Sequence, residues 1–593
     1  MGGTADAGQA AAVSSSVRRS GLSALSMVLL AVLVGWIYAP ALGGEFLFDD
    51  DALISNCPQI RAPDGLYQFW CTTRPIDYWP VTNTSFWLEW RLWGRSTTGY
   101  HVTNVLLHGA AAVWIWVIFG RLRIPGALLG AVLFAVHPVN VRSVAWIAQR
   151  KNVLSMVFLL ASVWCFLRLI DAEGRDRRGR WHALSVVCFL VAMLSKGSVV
   201  VLPLVLVWIS WWQRPDEGLM HRWRQLLPFG VIAAVLCAVD IWFQSHGAPS
   251  AGRDALPLQR VADAGWILCF YLREAVHPAH LVFFYPPWQT DVSRAADWSA
   301  SILAVAVTFV LVVYRRPWAR SVLFAWGFYC IALLPVLGFL DFGFMRFSPV
   351  GDHYQYIAII AVCGLTGAVL SEAHRRSRGA LRGAVVAVTA LLVGTLALAA
   401  RHESAKYSRQ DVLDQETLAV NPNCWAAHNS LGMELAKAGR YREALDHYRR
   451  ALLQYPDCRE VQTNIGNVML RTGRLTDALG CYEKALRADP DYVEALNNTA
   501  VALLQLGRVE QSEGFFRHAL SRDDDYFEAH ANFAVALDKL GRLDEAADQL
   551  ERALRIQANA ALYVNLAQLY LRLGRRDEAA RAAQAAADLG PRP

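Results

Sequence analysis

The sequence predicts an all-helical protein in two parts, a membrane domain of many spanning helices followed by a superhelix of short helical repeats. Hydrophobic residues make up 55% of the 593 residues and charged residues only 18%. Between positions 22 and 400 the apolar residues gather into runs of about 20, the length with which a helix crosses the hydrocarbon of a bilayer. After Arg401 the sequence turns polar, favours helix and becomes periodic. We therefore expect a tail at 1–21, a membrane domain at 22–400, a linker with a half-repeat at 401–422 and repeats at 423–593.

The first part is predicted to cross the membrane about eleven times. One span begins near residue 22, and ten more lie near 101–120, 125–145, 152–170, 182–196, 198–212, 226–243, 299–314, 320–340, 354–371 and 380–400. Arg18 and Arg19 precede the first run, and alternate short connections are rich in Arg, so the tail and those connections are predicted to be cytoplasmic. The apolar stretch near 262–281 is expected to be interfacial or re-entrant on the outer side.

An odd number of spans places the repeats outside the cytoplasm. Because Arg greatly outnumbers Lys, which hints at a bacterium, we expect the inner membrane, with the repeats in the periplasm; in a eukaryote these would be the membrane and lumen of the endoplasmic reticulum. The net charge of +7 does not indicate a nucleic-acid partner, because the Arg residues flank apolar runs instead of covering one soluble face.

The repeats have the period of tetratricopeptide repeats. Gly439, Gly473, Gly507 and Gly541 follow one another at intervals of 34 residues, and Gly574 continues the series. Small residues recur where two helices must approach, for example Ala444 in the first repeat. Five repeats are predicted.

One column of the repeats predicts a binding surface for polypeptide. It reads Asn464, Asn498, Asn532 and Asn565 in successive first helices, after Ser430. An Asn side chain both donates to and accepts from a peptide backbone, so a solvent-facing ladder of them could hold an extended acceptor protein without reading its sequence, as the ladder of cytosolic O-GlcNAc transferase does. The alternative is that Asn is simply a common solvated residue at this position.

The first predicted outer loop carries three adjacent carboxylates, Asp49, Asp50 and Asp51. Their mutual repulsion favours a raised pKa in one of them, and so a general base or a cation site, whereas the alternative is a helix cap in a solvated loop. A divalent metal remains an open expectation. Cationic candidates at the same outer level would bind the phosphate of a polyprenyl-phosphate sugar: Arg74, His137, Arg150, Lys151, Lys196 and His353. No nucleotide-binding motif is visible.

In this order the motifs resemble the transmembrane and tetratricopeptide-repeat-containing (TMTC) proteins and their bacterial relatives, within the GT-C superfamily of glycosyltransferases. The motifs are Phe46-Leu47-Phe48-Asp49-Asp50, Trp79-Pro80-Val81-Thr82, Gly99-Tyr100-His101, His137-Pro138-Val139-Asn140, Arg150-Lys151, Leu194-Ser195-Lys196 and Asp352-His353-Tyr354. The resemblance implies a GT-C fold and transfer of mannose from a polyprenyl phosphate to Ser or Thr, with Asp49 and Asp50 on the family's acidic pair. His353 stands where relatives usually have Arg, and Gly197 where they often have Pro or Glu.

Two other functions compete with this interpretation. A non-catalytic membrane anchor could use the repeats to assemble envelope proteins, although so many spans with ionisable residues on one side are excessive for an anchor. A transporter would favour charges near mid-membrane and an internal repeat of spans, and neither is evident.

Overall fold

The protein is described by a computed structural model over residues 24–75, 77–213, 223–246, 256–288, 290–314, 316–341 and 343–590. Within these ranges it is helical and contains no strand, so the predicted fold class is confirmed. The predicted tail with Arg18 and Arg19 lies outside the described residues. The chain divides into two compact units, Met1–Glu416 and Thr417–Pro593, and the division falls inside the segment predicted as linker and half-repeat.

In the part of the chain that is described, sixteen α-helices lie in the first unit and a seventeenth crosses the division between the units. They are α1 (Ala24–Ala41), α2 (Pro58–Arg61), α3 (Gly65–Cys71), α4 (Pro80–Trp93), α5 (Thr97–Arg121), α6 (Ala127–Val136), α7 (Val141–Ala145), α8 (Arg150–Asp171), α9 (Arg175–Ser195), α10 (Leu202–Gln213), α11 (Trp223–His246), α12 (Pro257–Val276), α13 (Ser299–Val313), α14 (Pro317–Leu333), α15 (Ile359–Arg376), α16 (Gly379–Lys406) and α17 (Gln410–Val420).

Seven of the described helices are long and apolar enough to cross a membrane, namely α1, α5, α8, α11, α13, α14 and α16 with their short extensions. The pair Ala127–Val136 and Pro138–Ala145, bent by 55°, makes an eighth if it is one broken span. The eleven spans predicted are therefore not confirmed. The other three predicted spans fall on α9, α10 and α15. The first turns of α9 carry Arg175, Arg177 and Arg178, and α15 ends in Arg375 and Arg376, while α10 is short. Charge and short length work against a simple span in each.

Burial within the first unit fits a helical bundle in lipid. Helix α8 lies at the centre, whereas α13 exposes large apolar side chains such as Ile302, Val305 and Phe309. Such a continuous apolar surface is unfavourable in water and suits contact with lipid. Helix α12 buries Ile267, Leu268 and Tyr271 on one face. Its interfacial or re-entrant position stays a prediction.

The second unit consists of five helix pairs. They are α18 (Trp425–Lys437) with α19 (Tyr441–Gln454), α20 (Arg459–Arg471) with α21 (Leu475–Ala488), α22 (Val493–Gln505) with α23 (Val509–Arg522), α24 (Phe527–Lys539) with α25 (Leu543–Ile556), and α26 (Ala560–Arg572) with α27 (Arg576–Leu589). The turn in the first pair contains Gly439 at φ 76°, a left-handed conformation that favours glycine. Gly432 also has to be glycine, because a Cβ there would lie 2.5 Å from the Tyr448 ring.

Candidate active site

The acidic loop is fastened to the bundle by Asp50. This side chain is fully buried, and its carboxylate accepts hydrogen bonds from the backbone N–H of Leu47 at 2.9 Å and of Ala148 at 2.6 Å. The indole N–H of Trp146 donates to the Leu47 carbonyl at 3.3 Å. Burial raises the pKa of Asp50, while the two N–H donors act in the opposite direction. One carboxylate oxygen therefore closes the turn onto Leu47, and the other holds the loop against residues 146–148.

Phe48 fixes the backbone immediately before Asp49. Its φ of 50° is unusual for a residue with a side chain. The N–H of Phe48 donates to Gln410 Oε1 at 3.0 Å. Four aromatic rings meet the Phe48 ring edge-on at centroid distances between 5.2 and 6.0 Å: Trp146, Phe283, Phe284 and Phe347. This packing stabilises a strained turn, as is common where a functional side chain must be aimed.

Asp49 differs from Asp50 in its surroundings. It is only half-buried, and within the described residues its carboxylate has no hydrogen-bond partner. Burial raises the pKa of Asp49, Lys151 opposes this shift, Asp77 adds to it, and Arg142 also opposes it. A free carboxylate with a raised pKa has the properties of a general base. The structure thus separates two residues that sequence reasoning treated as equivalent.

Lys151 and Asp77 complete the surroundings of Asp49. The ammonium of Lys151 lies 4.3 Å from the centroid of the Trp79 ring, a cation–π contact. Burial also raises the pKa of Asp77, and Lys151 opposes it. Sequence reasoning missed Asp77, although its position two residues before the Trp79-Pro80 motif was a usable signal.

A narrow cavity brings together two of the predicted phosphate-binding residues, Lys196 and His353, and His353 packs against Trp146, which also contacts Phe48 of the acidic loop. The buried ammonium of Lys196 donates to Asn152 Oδ1, and Asn152 Nδ2 donates to the His353 carbonyl at 3.2 Å. The rest of the lining is mixed: Ser155, Ser198, Ala332, Pro335, Val336, Tyr354, Tyr356 and Ile357. One end of the cavity therefore offers the amino group of Lys196, whose pKa burial and the nearby Lys151 lower well below its usual value, and the wall offers apolar surface.

His353 itself is not a cation. Burial lowers the pKa of His353 well below its usual value of 6.5, and Arg142, Lys196 and Lys151 lower it further. Its Nδ1 has no hydrogen-bond partner within the described residues. As a neutral ring, His353 can contribute a hydrogen bond to a phosphate but no compensating charge.

The other four predicted phosphate-binding residues, Lys151 among them, are absent from the described lining of this cavity. Arg150 is buried and engaged internally: it forms an ion pair with Glu89 at 3.0 Å and donates to the Tyr100 carbonyl at 2.9 Å and to Asn104. His137 Nε2 lies 3.0 Å from the Ala275 carbonyl, so this nitrogen carries the proton, while Nδ1 accepts from Val139 N–H. Arg74 is exposed between α3 and α4. Their binding roles remain predictions.

Sequence reasoning also missed Arg142, on α7. The side chain is 1% exposed, and the guanidinium lies 4.3 Å from the ring centroid of Phe283 and 4.8 Å from that of Phe344. In the sequence it was one more Arg beside an apolar run, and nothing in its spacing distinguished it.

No three His, Cys, Asp or Glu side chains come together as metal ligands in the described ranges. Help from a divalent metal therefore stays an untested expectation.

The Asn column in the repeats is only partly solvent-facing, which corrects the expectation from sequence. Each of three members is half-buried and donates through Nδ2 to the preceding repeat. Asn464 donates to Asn429 at 2.9 Å, Asn498 to Asn467 at 2.8 Å, and Asn532 to Asn497 at 3.2 Å. Asn565 is exposed. The geometric reason is that stacked repeats bring equivalent helices within hydrogen-bond reach of one another.

Comparisons with known families place two kinds of domain on the chain. The model of the dolichyl-phosphate-mannose-protein mannosyltransferases matches residues 75–243. Tetratricopeptide-repeat models match residues 423–491, 463–527 and 531–592. The first match contains Asp77, Arg142, Lys151 and Lys196, and it begins after the acidic loop.

Similar proteins are named protein O-mannosyl-transferases. Protein O-mannosyl-transferase F38B6.6 of Caenorhabditis elegans is 23% identical over 436 residues, which are 70% of this chain and 60% of that protein. Protein O-mannosyl-transferase TMTC4 of Mus musculus is 24% identical over 507 residues, 70% of this chain and 65% of that protein. The chain thus spans less than two thirds of the length of these relatives.

Solved structures are similar to about a quarter of the chain. The crystal structure of MamA is 21% identical, covers 26% of this chain and 92% of its own, and has a TM-score of 0.25. TTC0263, a tetratricopeptide-repeat protein of Thermus thermophilus, is 26% identical, covers 28% of this chain and 92% of its own, and has a TM-score of 0.26. The chain joins a mannosyltransferase-type region to tetratricopeptide repeats and is similar to TMTC protein O-mannosyl-transferases, which confirms the resemblance to that family found in the sequence.

Proposed function

We propose that this protein is a membrane glycosyltransferase that moves mannose from a polyprenyl phosphate to Ser or Thr hydroxyls of exported proteins. The observation that carries the proposal is the half-buried, unpaired carboxylate of Asp49, held by a strained turn beside Lys151 and near a cavity that Lys196 lines. The names of the relatives, protein O-mannosyl-transferases, supply the sugar and the type of acceptor.

Asp49 is the base in this proposal. Its carboxylate takes the proton from the acceptor hydroxyl while that oxygen forms a bond to the anomeric carbon of the sugar. The bond from this carbon to the phosphate oxygen breaks, and the phosphate leaves with the lipid. The raised pKa of Asp49 strengthens it as a proton acceptor compared with an exposed aspartate.

The departing phosphate gains negative charge, which a nearby cation stabilises most when the surroundings exclude water. Lys196 at one end of the cavity and Lys151 beside Asp49 are suited to this role. The apolar lining at Ala332, Val336 and Ile357 suits the first isoprene units of the lipid.

The repeats capture the acceptor in this proposal, outside the cytoplasm. The Arg-rich connections support this orientation. The number of spans does not decide it, because seven spans and eight spans would place the repeats on opposite sides of the membrane. In a bacterium the membrane would be the inner membrane and the repeats would be periplasmic.

A transfer assay tests the proposed function. The full chain in lipid nanodiscs receives polyprenyl phosphate carrying radiolabelled mannose and a Ser/Thr-rich acceptor peptide. We expect label on Ser or Thr of the peptide. Binding of acceptor without any transfer would favour the alternative, a non-catalytic scaffold that assembles envelope proteins.

Replacing Lys151 by Gln is expected to have two effects in this assay. Loss of one charge-assisted contact to phosphate raises the KM for donor about tenfold. Because Lys151 lowers the pKa of Asp49, its removal raises that pKa further and moves the acid limb of the pH–rate profile to higher pH. Lys151→Arg keeps the charge and should restore the profile. If Lys151→Gln raised the KM for donor but left the acid limb of the pH–rate profile in place, the electrostatic effect of Lys151 on Asp49 would be contradicted.

The Asn column gives a test of acceptor capture. Asn464→Ala removes an inter-repeat hydrogen bond and should lower the free energy of unfolding by about 1 kcal/mol, whereas exposed Asn565→Ala should leave it unchanged. Both should raise the KM for acceptor. Asn429→Ala is the matched control, because it removes the same hydrogen bond and keeps the column. An acceptor KM that rises equally for Asn429→Ala would assign the effect to stability alone.

A further inference from the structure

The guanidinium of Arg142 is buried without a hydrogen-bond partner. The side chain is 1% exposed, and Nε, Nη1 and Nη2 all lack an acceptor within the described residues. It is enclosed by the rings of Phe283, Phe344 and Trp146, at 4.3, 4.8 and 5.6 Å from the guanidinium carbon to the ring centroids. Ring faces attract the cation, but they leave its five N–H groups unsatisfied.

The carboxylates near Arg142 do not fill this role. Asp352 accepts a hydrogen bond from the Tyr285 hydroxyl at 2.9 Å, and burial raises the pKa of Asp352 to about 7. Asp49 has no hydrogen bond to Arg142. An isolated buried charge is strongly unfavourable, so this arrangement favours binding of an anion.

His353 connects Arg142 with the cavity. Its ring centroid lies 5.1 Å from that of Phe344 and 5.9 Å from that of Trp146, two of the rings around Arg142. The same residue lines the cavity that contains Lys196. Arg142, Lys151 and Lys196 all act on His353 as nearby positive charges. Three basic side chains therefore lie around a neutral ring whose Nδ1 has no partner within the described residues, and an anion bound there would favour the charged form of Lys196.

We propose that Arg142 binds the phosphate of the lipid-linked donor, together with Lys196 and with His353 as a neutral hydrogen-bonding group. This inference rests on the proposed function and adds a residue that binds the leaving group. The planar guanidinium matches two phosphate oxygens at once. When the bond to the sugar breaks, the phosphate gains about one further negative charge. The site should therefore hold the released polyprenyl phosphate more tightly than the intact donor.

The test uses thermal unfolding and binding of the full chain in nanodiscs, with three probes: polyprenyl phosphate, inorganic phosphate and the corresponding polyprenol. Polyprenyl phosphate should raise the Tm of the wild type, and polyprenol should not. In Arg142→Met the Tm without ligand should equal or exceed that of the wild type, because an unpaired buried cation has been removed. The Kd for polyprenyl phosphate should rise at least about tenfold, and Arg142→Lys should recover part of the loss.

Other outcomes overturn the inference. A lower Tm of Arg142→Met and of Arg142→Lys without ligand, with unchanged Kd, would make Arg142 structural, while sugar transfer by the wild type would leave the proposed function intact. An Arg142-dependent shift with inorganic phosphate as large as that with polyprenyl phosphate would identify free phosphate, not lipid, as the ligand. A wild type that neither binds polyprenyl phosphate nor transfers sugar would remove the proposed function and this inference together.

Discussion

Replacing Asp49 by Asn is expected to lower sugar transfer at least about 100-fold, the loss typical of a missing general base. The amide keeps the size of the carboxylate but cannot take a proton from the acceptor hydroxyl. Because the Asp49 carboxylate has no hydrogen-bond partner within the described residues, the variant should fold and enter the membrane normally. The measurement is the transfer rate at saturating donor, together with the Tm.

The pH dependence of the wild type provides a second readout for Asp49. Only the ionised carboxylate is a base, and burial raises its pKa above the usual 3.8. Transfer should therefore fall as the pH decreases through this raised pKa, and this acid limb should be absent from the residual activity of Asp49→Asn. Asp51→Asn is the matched control, since Asp51 is exposed and its carboxylate accepts from the Ser55 hydroxyl. An active Asp49→Asn with an unchanged acid limb would exclude Asp49 as the base.

Replacing Asp50 by Asn should instead destabilise the protein, by about 1–3 kcal/mol. The Asp50 carboxylate accepts from two backbone N–H groups, of Leu47 and Ala148. An amide offers one oxygen, and its NH₂ group would face the second N–H donor. The measurement is thermal unfolding in nanodiscs, and we expect a lower Tm for Asp50→Asn but not for Asp49→Asn.

Transfer by Asp50→Asn should also fall, since the loop that aims Asp49 loses an anchor. Lowering the temperature, which restores the folded loop, should recover part of the activity of Asp50→Asn and none of the activity of Asp49→Asn. A stable Asp50→Asn variant that loses transfer at every temperature would show that Asp50 takes part in the chemistry directly.

Among the predictions from sequence, the tertiary structure changed the set of phosphate-binding cations most. Arg150 and Lys151 are neighbours in the sequence, yet Arg150 is paired with Glu89, while Lys151 acts on Asp49. Successive residues of a helix point about 100° apart, so adjacent charges reach different surroundings. Arg142 became a candidate only when three rings, two of them more than a hundred residues away, were seen to enclose it.

The sequence by itself determined the helical fold class, the apolar runs and the five repeats. These features depend on local properties, namely the length of an apolar run and a glycine that returns every 34 residues, as from Gly439 to Gly473. Only the tertiary structure separated Asp49 from Asp50, reduced the simple spans to seven or eight within the described ranges, and left Arg142 unpaired there. The physical reason is that exposure, pairing and pKa depend on neighbours from distant parts of the chain, as when Ala148 donates to Asp50.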